Sequence, residues 1–332
     1  MNKFQTLVDI PQFNWKIDYT SSSMFMGSCF AENIGKRMVE LKFGTDLNPF
    51  GILYNPISVA NSLQILLDNR KMDGSELMNH NGLWHSFYHH SRFSSTDKEE
   101  SLSIINGRIT VSSKILREAD FLFITFGTAW VYELKETQKV VSNCHKIPES
   151  QFTRYKAGVS DIVNRHTRLL KDIFQVNPTL KVIFTVSPIR HWKDGAIENQ
   201  LSKSTLLLAV NKIINSIGTD FCAYFPSYEI VMDELRDYRF YDQDMIHLSA
   251  VATNHIWEKF EQSFMRNGTV SLKKEIEKIL QSKNHRPFNP KTEEHKKFLS
   301  GCLKSCTQLE KEHPYINLKL EIEYFTKQLN LI

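Results

Sequence analysis

Five short apolar runs recur along the chain, each closing on a polar, Gly or Pro residue before helical periodicity resumes. Strands buried on both faces read as continuous apolar stretches, so this alternation predicts a parallel sheet whose strands are joined by covering helices. The first run, Met24-Phe25-Met26, leads through Gly27 and Ser28 into an amphipathic helix spanning roughly Glu32 to Lys42. A short strand at Thr45 to Leu47 enters Asn48-Pro49-Phe50-Gly51, and a helix from near Ile57 then carries Leu63, Ile65, Leu66 and Leu67. Phe121 to Phe126 stops at Gly127, Lys181 to Val186 stops at Ser187-Pro188, and Cys222 to Phe225 stops before Pro226. In open parallel sheets the ligand crevice lies beyond the carboxyl ends of the strands, and that is where chemistry is expected.

A chain of 332 residues suits one large α/β domain with an appendage. The expected division places the main domain at residues 1–266 and a helical appendage at 267–332. Beyond Asn267 the composition turns to Lys and Glu, with Pro287 and Pro290 between helical segments. Phe298, Leu299, Cys302, Leu303, Cys306 and Leu309 form one helical stripe, and Leu318, Ile322, Phe325 and Leu329 a second. Residues 70 to 100, with Trp84, His85, Phe87, Tyr88, His89, His90 and Phe93, interrupt the rhythm and read as an inserted lid or hairpin.

Charge and cysteine content narrow the function. The balance of 41 basic to 37 acidic residues leaves +4 spread along the chain, with no basic block to follow a phosphate backbone, so nucleic acid is not an expected partner. Met1 to Phe13 lacks an apolar signal core, and no stretch is long and apolar enough to span a bilayer. Five cysteines at irregular spacing fit a reducing compartment. The expectation is a cytoplasmic protein without a membrane partner; a homo-oligomer is compatible with the sequence.

Two segments carry the candidate chemistry: Gly27-Ser28 after the first strand, and Asp244-Met245-Ile246-His247 before the last helix of the domain. A serine hydroxyl needs an imidazole to take its proton, and a carboxylate to hold that imidazole in the right tautomer. An Asp three residues before a His can set its carboxylate against Nδ1 and leave Nε2 facing the serine. In isolation Asp-x-x-His is weak, because many such pairs are surface charges or capping groups.

Read together, the segments resemble a known family. Met26-Gly27-Ser28-Cys29-Phe30-Ala31-Glu32-Asn33-Ile34-Gly35 is similar to the opening motif of the GSCFA-domain family, which is grouped with SGNH or GDSL-like hydrolases. The resemblance continues through Asn48 to Pro56, Phe126 to Val131, Asn143 to Lys146 and Ser187 to Gly195, covering roughly residues 20 to 265. It implies a flavodoxin-like three-layer α/β/α sandwich on a five-stranded parallel sheet, with Ser28 as nucleophile, His247 as base and Asp244 as its orienting partner. One departure stands out. The wider SGNH pattern has a Gly-x-Asn block whose asparagine donates to the oxyanion, and here the strand end reads Gly127-Thr128-Ala129. One such donor is worth about 3 kcal/mol in the transition state, so a substitute is required. The candidates are the amides of Ser28 and Gly51, the Thr128 hydroxyl, and the side chains of Asn143 and His145.

Other residues carry two readings. Cys29 beside Ser28 could be a thiolate, but a cysteine just inside a helix reads more readily as a small buried apolar residue. His85, His89 and His90 lack ligand partners at metal-like spacing, and their alternating aromatics suggest a packed hairpin, so no metal is expected. Arg190, His191 and Lys193 either bind an anionic part of the substrate or form a solvated loop. Tyr238, Arg239, Tyr241 and Asp242 either shape the pocket or support the turn before Asp244. There is neither a Gly-x-x-x-x-Gly-Lys-Ser loop nor a Gly-x-Gly-x-x-Gly after a strand, so no cofactor is implied. The expected function is a serine esterase or acylhydrolase working through an acyl-enzyme on a small ester, with an acylated sugar as one substrate class and carbohydrate O-deacetylation as one reaction. The alternatives are an O-acyltransferase with the same triad and a non-catalytic binding module on the same fold.

Overall fold

Each apolar run becomes a strand, and the strands align so that alternate residues form two rows. The computed structural model describes residues 5–332. The chain runs β1 (Ser22–Gly27), α1 (Cys29–Glu40), β2 (Gly44–Leu47), α2 (Pro56–Leu67), β3 (Leu77–His80), β4 (Leu83–Ser86), α3 (Lys98–Glu118) and β5 (Phe121–Phe126). It continues through β6 (Trp130–Leu134), β7 (Lys139–Val141), β8 (Phe152–Lys156), α4 (Val159–Val176), β9 (Lys181–Val186), α5 (Gly195–Ile217) and β10 (Cys222–Tyr224). A short α6 (Ser227–Glu229) is followed by α7 (Ala250–Phe264), α8 (Asn267–Asn284), α9 (Glu293–Glu312) and α10 (Lys319–Leu329). Two compact units result. One holds residues 22–36 and 45–260 with the stretch up to Gln12, and the other holds residues 13–21, 37–44 and 261–332.

The first unit is built on a five-stranded parallel sheet in the order β10-β9-β5-β1-β2. Met24, Leu122, Val182 and Cys222 lie in register across four strands and belong to one apolar core with Leu63, Ile109, Leu170 and Leu206 of the covering helices. The neighbouring row faces the other way: Phe25 stacks on Phe123 at 4.3 Å, and Phe123 packs against Phe260 of α7 at 5.5 Å. Burying such side chains contributes about 1.5–3 kcal/mol each, and with both faces covered the strands have no polar alternation to show. This is a three-layer sandwich of flavodoxin-like strand order, whose switch point lies between β1 and β5.

Two insertions decorate this frame. Residues 77–86 form the β3–β4 hairpin, turned by Asn81 and Gly82, both at positive φ as an Asn-Gly hairpin turn requires. The second insertion was not anticipated from the sequence: β7, β6 and β8 form an antiparallel sheet in that order. In the other unit Leu299, Cys306 and Leu309 of α9 and Phe325 of α10 are buried, whereas Phe298 is exposed. Buried Glu321 there pairs with Lys42 at 2.9 Å and Lys283 at 3.0 Å. Among the described residues no helix is long and apolar enough to cross a membrane.

The core also encloses His166 of α4. Its Nε2–H donates to the Pro56 carbonyl at 3.0 Å, while Nδ1 is buried without a partner. A second proton would have no acceptor, so burial pushes the imidazole down to about 4. The unfolded chain takes up that proton near pH 6.5, so its stabilising contribution is whole above pH 6.5 and is lost as pH falls towards 4. Denaturant titrations at pH 7 and pH 4 should therefore show a loss of stability that His166→Gln reduces by about 3 kcal/mol.

Candidate active site

The site begins with a close approach of two strands. At the end of β1, Gly27 has φ +132°, and a Cβ there would lie 2.1 Å from the Thr125 carbonyl oxygen, so only glycine fits. The next amide, Ser28 N–H, donates to that same carbonyl at 3.1 Å. Ser28 then caps α1: its carbonyl accepts from Glu32 N–H at 3.2 Å and its Oγ accepts from Phe30 N–H at 3.3 Å. Only 1% of Ser28 is exposed. Asn48, at φ +41°, fastens the second segment to the first, because its Oδ1 accepts from Gly27 N–H at 2.9 Å and its Nδ2 donates to Glu32 at 2.6 Å.

A cavity of about 570 Å³ opens beside these strand ends. Its walls include Cys29 after β1, Ile52 and Tyr54 after β2, Thr128 after β5, Asn143 and Cys144 after β7, Ile189 to His191 after β9, and His247. Ser28, Gly51, Gly127 and His145 do not line it. Gly51 N–H is engaged with Asn48 O at 2.7 Å, and the space beside its Cα, at φ +81°, is filled by His90. Gly127 and Thr128 both donate their amides to Tyr54 O, at 2.8 and 2.9 Å. The Thr128 hydroxyl is shared with Ser202 at 3.1 Å and accepts from Trp130 N–H. His145 stacks on His85 and bonds through Nε2 to Ser86 O at 2.9 Å, and burial pushes its ring down to about 4. The expected oxyanion donors at Ser28, Gly51 and His145 are thus already engaged elsewhere in the fold. Asn143 differs: its Oδ1 accepts from His145 N–H at 2.9 Å, and its Nδ2 has no acceptor among the described residues.

Asp244 and His247 meet through a tight turn. Met245 takes φ +58°, Asp242 N–H donates to His247 O at 2.8 Å, and Asp244 Oδ1 accepts the amides of Ile246 and His247 at 2.9 and 2.8 Å. The other carboxylate oxygen sits 2.6 Å from His247 Nδ1. The imidazole first and these amides next hold the Asp244 carboxyl down at about 2. His247 Nε2 has no partner among the described residues, and the side chain is 55% exposed on the cavity wall. The structure therefore brings His247, Thr128, Asn143, Arg190 and His191 to one cavity, and leaves Ser28 in the wall behind it.

Several contributors were not singled out from the sequence. Lys203 of α5 is fully buried, with Nζ donating to Gly127 O and Ser187 O at 2.6 Å each, so its ammonium ties the ends of β5 and β9 together. Burial without a carboxylate lowers it to about 7. Arg154 of β8 is forked onto Asp194 and lies over the Trp130 ring at 4.2 Å. Lys193 donates to Tyr132 Oη at 2.8 Å and pairs with Glu149. The period-two pattern of Phe152 to Lys156 was the available signal for Arg154. Lys203 had none, because it falls in a helix that reads as ordinary. His85 and His89 bond to Ser94 and Ser86 around the hairpin, His90 accepts from Arg92 N–H and lines the cavity, and among the described residues no group of His, Cys, Asp or Glu is arranged to hold a metal.

The fold and site define a flavodoxin-like α/β sandwich with a hydrogen-bonded aspartate–histidine pair on a cavity beside the topological switch point. A family model described as the GSCFA family matches residues 22–260, and one described as the GSCFA domain protein, C-terminal domain, matches residues 276–331. The chain belongs to the GSCFA family. No match was found among curated proteins. The glycine that opens the motif is the most constrained position in the site. Gly27→Ala should cost about 3 kcal/mol or more in urea unfolding, because it adds strain at positive φ to a backbone clash.

Proposed function

We propose that the chain is an acyl-transfer hydrolase of the SGNH or GDSL-like kind, cleaving a small ester through an acyl-enzyme. The observation that carries this reading is the Asp244–His247 pair on the cavity wall, with Nδ1 held at 2.6 Å by the carboxylate and Nε2 unengaged among the described residues. That tautomer leaves a lone pair on Nε2, which can take a proton from a nucleophile at the β1–α1 junction and return it to the leaving alkoxide. Water activated by the same nitrogen then releases the acid. The Asp244 carboxylate, ionised at any working pH, stabilises the imidazolium formed in both steps.

The lining favours a substrate with two features. Aromatic Tyr54, Trp130 and Tyr132 line the cavity, the last two with Arg154 over their rings, and Arg190 and Lys193 stand on the walls with no carboxylate among the lining residues. Arg154 and Lys193 have acidic partners, whereas Arg190 contacts the Met232 sulfur and has no acidic partner among the described residues. An acylated saccharide bearing an anionic group meets both features. The cysteines form no disulfide among the described residues, which suits a reducing compartment, and we assign the enzyme to the cytoplasm.

Turnover of p-nitrophenyl acetate tests the reading. His247→Ala should lower kcat/KM about a hundredfold or more, and Asp244→Asn at least about tenfold. If both variants match the parent protein and saccharides raise its Tm without being cleaved, the chain is a binding module and this reading falls. Arg190→Gln should raise KM for p-nitrophenyl succinate about tenfold more than for the acetate, the worth of one charge-assisted contact.

A further inference from the structure

We infer that the nucleophile is the thiol of Cys29 and that the acyl group is carried as a thioester, with the oxyanion held by groups one residue beyond those the sequence motif suggests. The inference rests on the hydrolase reading above and specifies its reacting atom. Its first support is position. Ser28 is buried, points its hydroxyl to the Phe30 amide and lies outside the cavity, whereas half-buried Cys29, the first residue of α1, lines the cavity together with His247.

Its second support is the inventory of amides. Ser28 N–H and Gly51 N–H are bonded to Thr125 O and Asn48 O. The next residues in each segment, Cys29 and Ile52, both line the cavity; the Ile52 amide has no backbone acceptor among the described residues, and the Cys29 amide lies against its own thiol, where the reacting carbonyl would come. Asn143, with its unengaged Nδ2, lines the same cavity and can stand in for the missing asparagine. A thiol at Cys29 with donors at Cys29, Ile52 and Asn143 is a complete acyl-transfer site. One built on Ser28 lacks both access and donors.

The surroundings of the thiol set the manner of its activation. Burial raises the Cys29 thiol above its ordinary range, partly offset by the amides at the start of α1 and by the Lys203 ammonium. The resting group is therefore a thiol, and His247 must remove its proton as attack occurs. The Cys29 sulfur forms a bond to the ester carbonyl carbon, and the carbonyl electrons move to the oxygen. Collapse breaks the carbon–alkoxide bond, and the alkoxide takes the proton held on His247 Nε2. Water, giving its proton to Nε2, then attacks the thioester carbonyl; the acid leaves and the thiolate recovers the proton from His247.

Quenching the protein during turnover of p-nitrophenyl acetate and mapping the acetyl group by mass spectrometry tests this. The expected result is acetyl on Cys29, removed by neutral hydroxylamine, which cleaves thioesters and spares ordinary esters. Cys29→Ala should lose about a hundredfold or more in kcat/KM, and Cys29→Ser should recover part of that loss with Tm held near the parent value. Acetyl on Ser28 or Cys144, or His247-dependent turnover with no adduct, overturns the thioester proposal and leaves the hydrolase reading standing. Turnover indifferent to His247 removes both.

Discussion

The contact on which the site depends is the approach of Gly27 to the Thr125 carbonyl. Because no Cβ intervenes, the chain leaving β1 can swing over the end of β5 and deliver its next amide to the same oxygen. That places the start of α1 at the switch point of the sheet, where a flavodoxin-like order opens its crevice. Asn48 secures the arrangement by reaching both Gly27 N–H and the Glu32 carboxylate from a single side chain. Gly27 and Asn48, 21 residues apart, thus share one hydrogen-bond centre, and neither segment can move without breaking buried polar contacts.

Lys203 performs a comparable task on the other side of the switch point. Strands β5 and β9 end in carbonyls that the sheet cannot satisfy, and one buried ammonium accepts the role of donor to both. A buried charge without a carboxylate is costly, and the depressed pKa is the sign of that cost. Its value is positional: the ends of β5 and β9 carry Thr128 and Ile189 to His191, which form much of the cavity wall.

How much could be read in advance follows from which physical signals are local. The central parallel strands were legible because a strand covered on both faces is apolar along most of its length, as Phe121–Phe126 and Lys181–Val186 are apart from Thr125, Lys181 and Thr185. The β3–β4 hairpin falls in the stretch whose alternating aromatics and histidines suggested an inserted lid or hairpin, although its Asn81-Gly82 turn was not singled out there. The β6–β8 sheet gave no such sign, since its strands are short, half exposed and rich in charge, and its pairing is a non-local fact. The cavity-lining side of the site suffered the same way. Arg154 and Trp130 meet only because β6 pairs with β8, and Trp130 falls opposite Lys156 in that register.

In the motif Gly27-Ser28-Cys29 the hydroxyl and the thiol take different places, which is the basis of the thioester proposal. A hydroxyl one residue before a helix is drawn to the orphan amides of the first turn, and a serine that caps in this way has its oxygen turned inward. The residue after the cap is the first whose side chain is released from that duty. At a strand-to-helix junction the two roles therefore fall to adjacent residues, and the better capping group takes the first position. Serine caps far better than cysteine, so the order Ser-Cys divides the labour in the direction the burial reveals: the hydroxyl builds the turn, and the thiol faces the cavity.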